Sequence, residues 1–281
     1  MEDSHSERFQ ERLNLHLGRN EGVLSGTMAK DALSILCWNV GNPSAERARK
    51  QAEWLSNRPE DVFVLTEVKS SEGCLLLERH FKFFRDCEVM FQKPDANEYG
   101  VMIISRMPFV ESDFSNKVTY LRQRVASVRL VQSEFELEII GLYVPTTGLT
   151  EEKAERKRAF IREVVTALDA TSFASGKILC GDLNILEPNH VPSYPNYHDW
   201  EYLYTKLQDR GLKDAFRQLH PEVKEYSWVG HSNDGYRFDH SFVSSDLLPS
   251  LKDCRYLHET RESRLSDHSA LITEFLPMKE T

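Results

Sequence analysis

The strongest constraint on the fold of this chain is the way its apolar runs end. Ser34–Val40 is apolar on both faces until Asn39, which is the pattern of a central strand covered on both sides. Asp61–Thr66 is a second strand-length run and stops at Glu67, and Gly100–Ser105 is a third. The run through Gly141-Leu142 ends at Tyr143, and Ile178-Leu179-Cys180 ends in Gly181-Asp182-Leu183-Asn184. Arg237-Phe238-Asp239-His240 repeats the motif, and Ser266-Asp267-His268 directly precedes the last apolar run, Ser269–Phe275. Asp, Asn and His are poor material for a strand interior. Gathered at strand ends, they mark a site carried on a rigid scaffold. The residue types suit hard-metal phosphate chemistry, with oxygen ligands for Mg²⁺ and an imidazole for a proton or a phosphoryl oxygen.

Helical patterns lie between the strands. Ser44 opens a helix with Ala48, Ala52 and Leu55 on one side. Thr150 opens another, in which Ala154, Ile161, Val165 and Leu168 line the apolar face and Glu151 and Glu152 suit the N-terminus. A further helix is expected near Trp200–Arg210 and short strands near Tyr226–Val229 and Phe238–Ser244. Val125–Val131 and Phe135–Val144 read as a hairpin about Gln132-Ser133-Glu134. Strands with helices laid over them predict an α/β (α+β) sandwich of two stacked mixed sheets with helices outside. Residues 1–30 read as an N-terminal extension with a short helix, from the Ser4/Glu7 capping pair and Phe9, Leu13 and Leu17 on one face. Residues 31–281 read as a single catalytic domain.

Composition narrows the class. The 281 residues are 40% hydrophobic, enough for a substantial core, and no run approaches the roughly 20 apolar residues of a membrane span. The five cysteines lack metal-type spacing and read as buried thiols, which with a polar N-terminus makes a cytoplasmic protein the expectation. A net charge of −9 argues against a surface coated in positive charge for polyanions, but allows a local basic groove.

Taken singly, each polar residue has an ordinary reading. Asn39 suits a turn before Gly41-Asn42-Pro43, Asp182 and Asn184 an Asx turn, His268 a satisfied core histidine, and Arg237 with Asp239 a cross-strand ion pair. Taken together, the ordered set Trp38-Asn39-Val40, Thr66-Glu67-Val68-Lys69, Tyr143-Val144-Pro145, Gly181–Asn184, Arg237–His240 and Ser266–His268 resembles the exonuclease III and abasic-site endonuclease branch of the endonuclease/exonuclease/phosphatase superfamily. The resemblance implies a four-layer α-β-β-α sandwich and a Mg²⁺-dependent phosphodiesterase, with Mn²⁺ as a substitute ion. It implies metal binding by Glu67, with Asn39 and Asp267 assisting. It gives Asp182 and Asn184 to the attacking water, His268 and its orienter Asp239 to the scissile phosphate, and Tyr143 to the phosphate and leaving group. Arg237 is implied as a basic neighbour of the site, with Tyr236 and Phe238 as apolar contacts for an extruded sugar.

The chain departs from this pattern in places. Thr66 stands where the family usually has Gln, although Lys69 is kept, and Gly41-Asn42-Pro43-Ser44 replaces the usual Asn-Gly-apolar-Arg continuation. These changes fall on the rim that meets substrate. DNA is the expected partner, with RNA, a nucleotide, an inositol phosphate or a phospholipid head group as the alternative substrate class. A catalytically dead binding module is a further alternative. The Pro- and Tyr-rich loop Ile185–Asp199 reads as a substrate-facing loop or a rigid cover, and Arg122, Arg124 and Arg129 as a phosphate-tracking groove or a solvated face.

Overall fold

The computed structural model describes residues 32–131, 137–147, 150–171, 176–192 and 201–277. The expected helix in residues 1–30, the hairpin turn at 132–134 and positions 193–199 of the long loop lie outside them.

The first half of the chain lays down β1 (Ser34–Asn39), β2 (Val62–Val68), β3 (Glu88–Phe91) and β4 (Gly100–Ser105). The middle lays down β5 (Phe109–Glu111), β6 (Val125–Leu130), β7 (Leu137–Leu142), β8 (Lys177–Asp182) and β9 (Leu212–Asp214). A two-stranded ribbon follows, β10 (Trp228–Val229) with β11 (Gly235–Tyr236), then β12 (Asp239–Ser244), β13 (Leu251–Leu257) and β14 (Ala270–Phe275). They form two six-stranded mixed sheets, ordered β13-β14-β1-β2-β4-β3 and β5-β6-β7-β8-β12-β9. Each sheet holds one parallel pair near its centre, β1–β2 and β7–β8. Each pair is joined by a crossover helix, α1 (Ala45–Ser56) and α3 (Glu151–Asp169) respectively.

Three apolar layers result, as four stacked layers require. Ile35, Cys37, Val62 and Val64 of the first sheet meet Ala126, Val128, Ile139 and Ile178 of the second in the central core. Leu36, Trp38, Phe63 and Leu65, one residue out of phase, face α1 and α2 (Glu72–Arg79). Ile140, Leu142 and Leu179 face α3 and α4 (Glu201–Asp209) on the other outer side. The double-sided apolar character of β1 follows from this two-sided cover. Helix starts follow the capping rule: Ser44 accepts from Arg47 N and Thr150 from Lys153 N. The sheets approach so closely at Gly141 that a Cβ there would lie 2.7 Å from both Val64 and Val101. Short or edge strands (β3, β5, β9, β13) were not expected from sequence, and the predicted strand at Tyr226–Val229 is one arm of the ribbon.

Candidate active site

Strand register brings the polar ends to one rim. Asn39 pairs with Thr66 at the end of the β1–β2 ladder, and Asp182 lies opposite Asp239 at the end of β8–β12. Asn39 bridges the sheets, donating from Nδ2 to Asp182 Oδ2 at 2.8 Å while its Oδ1 accepts from Gly41 N at 2.9 Å. The second bond fixes which way the amide faces. Asp182 Oδ1 accepts from Asn184 N at 3.0 Å, and Asn184 Nδ2 donates to Val144 O at 3.0 Å. His268 Nδ1 lies 2.7 Å from Asp239 Oδ2. Trp38 Nε1 and Thr260 Oγ1 donate to the His268 carbonyl, at 3.2 and 3.0 Å. The imidazole is therefore gripped from both its backbone and its Nδ1, while Nε2 lies 3.5 Å from Asn39 Nδ2.

Glu67 and Asn184 both have left-handed backbones, with φ of 54° and 46°. For Asn this is tolerated, whereas for Glu it costs on the order of 1 kcal/mol and persists where surrounding structure holds it. The β2–β4 ladder shifts register between Leu65 and Val68, so Glu67 sits on a bulge that aims it out of the sheet. Its Oε1 accepts from the Tyr143 hydroxyl at 2.5 Å. Glu67 and Asp267 line the same open cleft of about 640 Å³. Asp267 Oδ2 accepts from Trp228 Nε1 at 3.1 Å. Glu67, Asp267 and the Asn39 amide oxygen each keep acceptor capacity beyond these bonds, which is the hard-oxygen donor set Mg²⁺ prefers.

The charges are strongly perturbed. Burial opposes the positive charge of His268, but the Asp239 carboxylate, helped by Asp182 and Asp267, outweighs it and lifts the imidazole to about 10. Burial and then the neighbouring Asp239 push Asp182 up to about 8, against the pull of His268. Burial, Glu67 and Asp182 hold the Tyr143 phenol well above its usual range, so it stays a neutral donor. Asp182, Asp239 and His268 offer ligand atoms within 4.8 Å of one another, a group that could hold a metal ion. A protonated imidazole whose Nδ1 is committed to a carboxylate has no lone pair to give, so this trio fits a proton and phosphate network better than a metal cage.

Arg237 is not part of the cleft. It is fully buried, with Nη2 at 2.6 Å from both Glu187 Oε2 and Asp214 Oδ2. This corrects both sequence readings, substrate contact and a pair with Asp239; the guanidinium pairs instead with two carboxylates distant in sequence and packs on Phe216. Tyr236 and Phe238 are 7% and 8% exposed and stack at 5.4 Å. Of the three expected arginines, Arg124 is buried beside Tyr143, its guanidinium 4.6 Å from the ring, while Arg122 is engaged with Asn116.

Two contributors were missed. Trp228 packs against Tyr236 and Phe238 with ring separations of 6.2 and 6.0 Å while its indole holds Asp267; nothing in a short strand pattern signals this. Lys157 is fully buried and donates to the Asn184 carbonyl from beneath the Gly181–Asn184 loop. Its signal was legible, because it falls between Ala154 and Ile161 on the apolar stripe of α3, where a lysine is out of place. Gly181 is required there too, since a Cβ would collide with Leu142 O of the neighbouring strand.

Known proteins are similar to this chain in sequence and fold. The chain is 23% identical over 274 residues to the DNA repair nuclease APEX1 of Danio rerio, covering 87% of this chain and 82% of that protein. It is 25% identical over 217 residues to exodeoxyribonuclease III of Haemophilus influenzae, covering 66% and 80%. The structure of a 3′-5′ exonuclease from Neisseria meningitidis superposes with a TM-score of 0.70 at 25% identity, over 86% of this chain and 99% of that one. The sequence model of the Endonuclease/Exonuclease/phosphatase family matches residues 36–268, and that span contains every residue of the rim described above. The chain belongs to the endonuclease/exonuclease/phosphatase family of hydrolases.

Proposed function

We propose that this protein is a Mg²⁺-dependent phosphodiesterase that hydrolyses DNA, as an exonuclease or an abasic-site endonuclease. The observation that carries the reading is the convergence, at one rim, of the His268–Asp239 pair, the buried Asp182 carboxyl tied by Asn39 and two further carboxylates in an open cleft. The relatives named as a DNA repair nuclease and an exodeoxyribonuclease support DNA as the substrate.

Hydrolysis requires a water in line with the scissile bond, positive charge on the phosphoryl oxygens and a stabilised leaving alkoxide. Asp182, tied by Asn39 and the Asn184 amide, takes the proton of the attacking water, and a carboxyl titrating near 8 is suited to that role. Asn184 orients the same water. His268 presents Nε2–H to a phosphoryl oxygen while Asp239 fixes its tautomer and charge. Glu67 and Asp267, with Asn39 Oδ1, would hold Mg²⁺, or Mn²⁺ in its place; the ion supplies electrophilic charge to the phosphate. Tyr143 holds Glu67 in position from its neutral hydroxyl. Trp228, with the Tyr236–Phe238 stack behind it, offers an apolar wall to a sugar lacking its base.

The test is a substrate panel with Mg²⁺ and with chelator: abasic duplex, blunt duplex, single-stranded DNA, RNA, an inositol phosphate and sphingomyelin. Metal-dependent cleavage of a DNA substrate is expected. Turnover of the lipid or inositol phosphate with no nucleic acid cleaved sinks the proposal.

A further inference from the structure

We infer that Arg47, Arg261 and Arg264 form a binding site for a second phosphate group of the substrate, beside the one that is hydrolysed. The inference rests on the phosphodiesterase reading above and extends it to how substrate is held. All three arginines line the cleft that contains Glu67 and Asp267. They come from two separate places in the chain, the first turn of α1 and the segment from α5 (Glu259–Glu262) to Arg264.

What sets them apart is the shared cleft, since Arg49, Arg79 and Arg106, also outside any ion pair among the described residues, do not line it. The ion-paired arginines, such as Arg58, Arg156, Arg217, Arg237 and Arg255, each have a carboxylate within 4 Å. Arg47, Arg261 and Arg264 have no carboxylate partner among the described residues. Arg47 Nη2 donates to Gly41 O at 2.6 Å, yet its Nε is buried without a partner among the described residues. A Cβ built on Gly41 would lie 3.4 Å from Arg47 Nη2 and 3.7 Å from Asp267 Oδ1, so the guanidinium and the carboxylate border the same space beside Gly41. Arg261 makes one long side-chain bond, Nε to Ser269 Oγ at 3.4 Å. Arg264 is exposed and has a left-handed backbone with φ of 59°, in a turn closed by its N–H on Arg261 O at 3.0 Å.

A protein of net charge −9 that pairs so many of its arginines has left these three unpaired in one cleft. One divalent cation balances the two cleft carboxylates, which leaves the guanidiniums as the net charge of the cleft. Their forked donors match phosphate oxygens, and a buried unsatisfied Nε is relieved by such an anion. A cleft of about 640 Å³ also has room beyond one phosphoryl group. The second phosphate is either the next backbone linkage or a phosphorylated strand end.

The test is fluorescence anisotropy in EDTA, so that binding is read without turnover. The probes are an abasic duplex, the same duplex with a single neutral methylphosphonate at each flanking linkage in turn, and blunt duplexes with and without a 5′-phosphate. The proteins are wild type, Arg261→Gln/Arg264→Gln, the Arg261→Lys/Arg264→Lys pair, and Arg49→Gln as an exposed control outside the cleft. The Gln pair is expected to raise Kd at least ~10-fold and to lower the salt slope by about 0.9, the value of one phosphate contact. The Lys pair should restore the slope but only part of the affinity, because it keeps charge and loses the fork. Loss of wild-type affinity at one methylphosphonate, absent in the Gln pair, identifies a backbone phosphate; a preference for the 5′-phosphate end, absent in the Gln pair, identifies a strand end. Wild-type DNA binding matched by the Gln pair within twofold, with equal slopes, overturns this inference alone. Wild type that neither binds nor cleaves any of these DNAs overturns it together with the proposed function.

Discussion

Asp239→Asn tests the electrostatic core of the site with almost no change in shape. His268 is lifted from 6.5 to about 10, although burial alone would lower it. That rise corresponds to on the order of 5 kcal/mol between its two protonation states, of which Asp239 supplies the largest favourable share. Replacing the carboxylate by an amide removes that share and leaves the burial, so the imidazole of the variant should be neutral at pH 7.5. The rate should fall by ~10²–10⁴-fold, on the scale of a lost electrostatic or acid–base contact. Stability gives an independent reading. A group whose folded pKa is raised contributes fully below its unfolded value, and loses that contribution as pH rises through the folded value. The His268 contribution in wild type is therefore present at pH 6 and lost by pH 10–11, and the stability gap between wild type and variant should close by about 2–4 kcal/mol across that window. Urea unfolding of metal-free protein at several pH values measures the gap, and ¹⁵N NMR of the imidazole reports its titration directly. An imidazole that titrates near 6.5 in wild type, or a gap that stays constant with pH, refutes the reasoning.

Three further outcomes are expected. Glu67→Gln should lower kcat at least ~10²-fold and raise the Mg²⁺ concentration needed for half-maximal rate, while chelator alone should abolish turnover of wild type; a near-normal rate in chelator would mean that no metal is needed. Lys157 is held down to about 7 by burial, partly countered by Asp182, so its own contribution to stability should rise with pH from about 7 to 10.5, against the falling contribution of His268; the difference between wild type and Lys157→Met in urea unfolding should therefore shift in favour of wild type over that range. Leu36→Ala, at a position with no exposure between β1 and the α1–α2 layer, should cost about 2–5 kcal/mol in the same assay without changing KM.

The fold was legible where a segment reports its own surroundings. β1 reads as doubly buried because it is, and Ser44 and Thr150 announce helices because capping is local. The edge strand β13 was not legible, since only Cys254 and Tyr256 of Leu251–Leu257 are buried, the consecutive Lys252 and Asp253 break the alternation, and the strand is held by its ladder to β14. The site divides in the same way. Asp182, Asn184, Asp239 and His268 stand at strand ends or beside the last strand, and the register of two sheets carries them together. Arg237 misled because it lies in the short link between β11 and β12, where no strand periodicity assigns its side chain to a face, and only the partners Glu187 and Asp214, distant in sequence, decide where it goes. The unpaired state of Arg47, Arg261 and Arg264 is likewise invisible in sequence, because it is a statement about which carboxylates fail to arrive.

The same burial that prepares Asp182 for catalysis should weigh against folding. Its carboxyl is raised from 3.8 to about 8, so the folded protein binds more protons than the unfolded chain between those values, and stability falls as pH rises through them. Asp182→Asn keeps the volume and the bond from the Asn184 amide and carries no charge to desolvate, but its NH2 cannot accept from Asn39 Nδ2 as Asp182 Oδ2 does, a pH-independent cost of about 1 kcal/mol. The stability of the metal-free variant relative to wild type should therefore rise by about 1–3 kcal/mol between pH 5 and pH 8, while the variant loses the acceptor for the water's proton and with it nearly all activity. Melting temperatures of both proteins at pH 5 and pH 8 make the comparison. A variant less stable than wild type by the same margin at both pH values would show that Asp182 is a structural hydrogen-bond acceptor rather than a buried charge kept for chemistry.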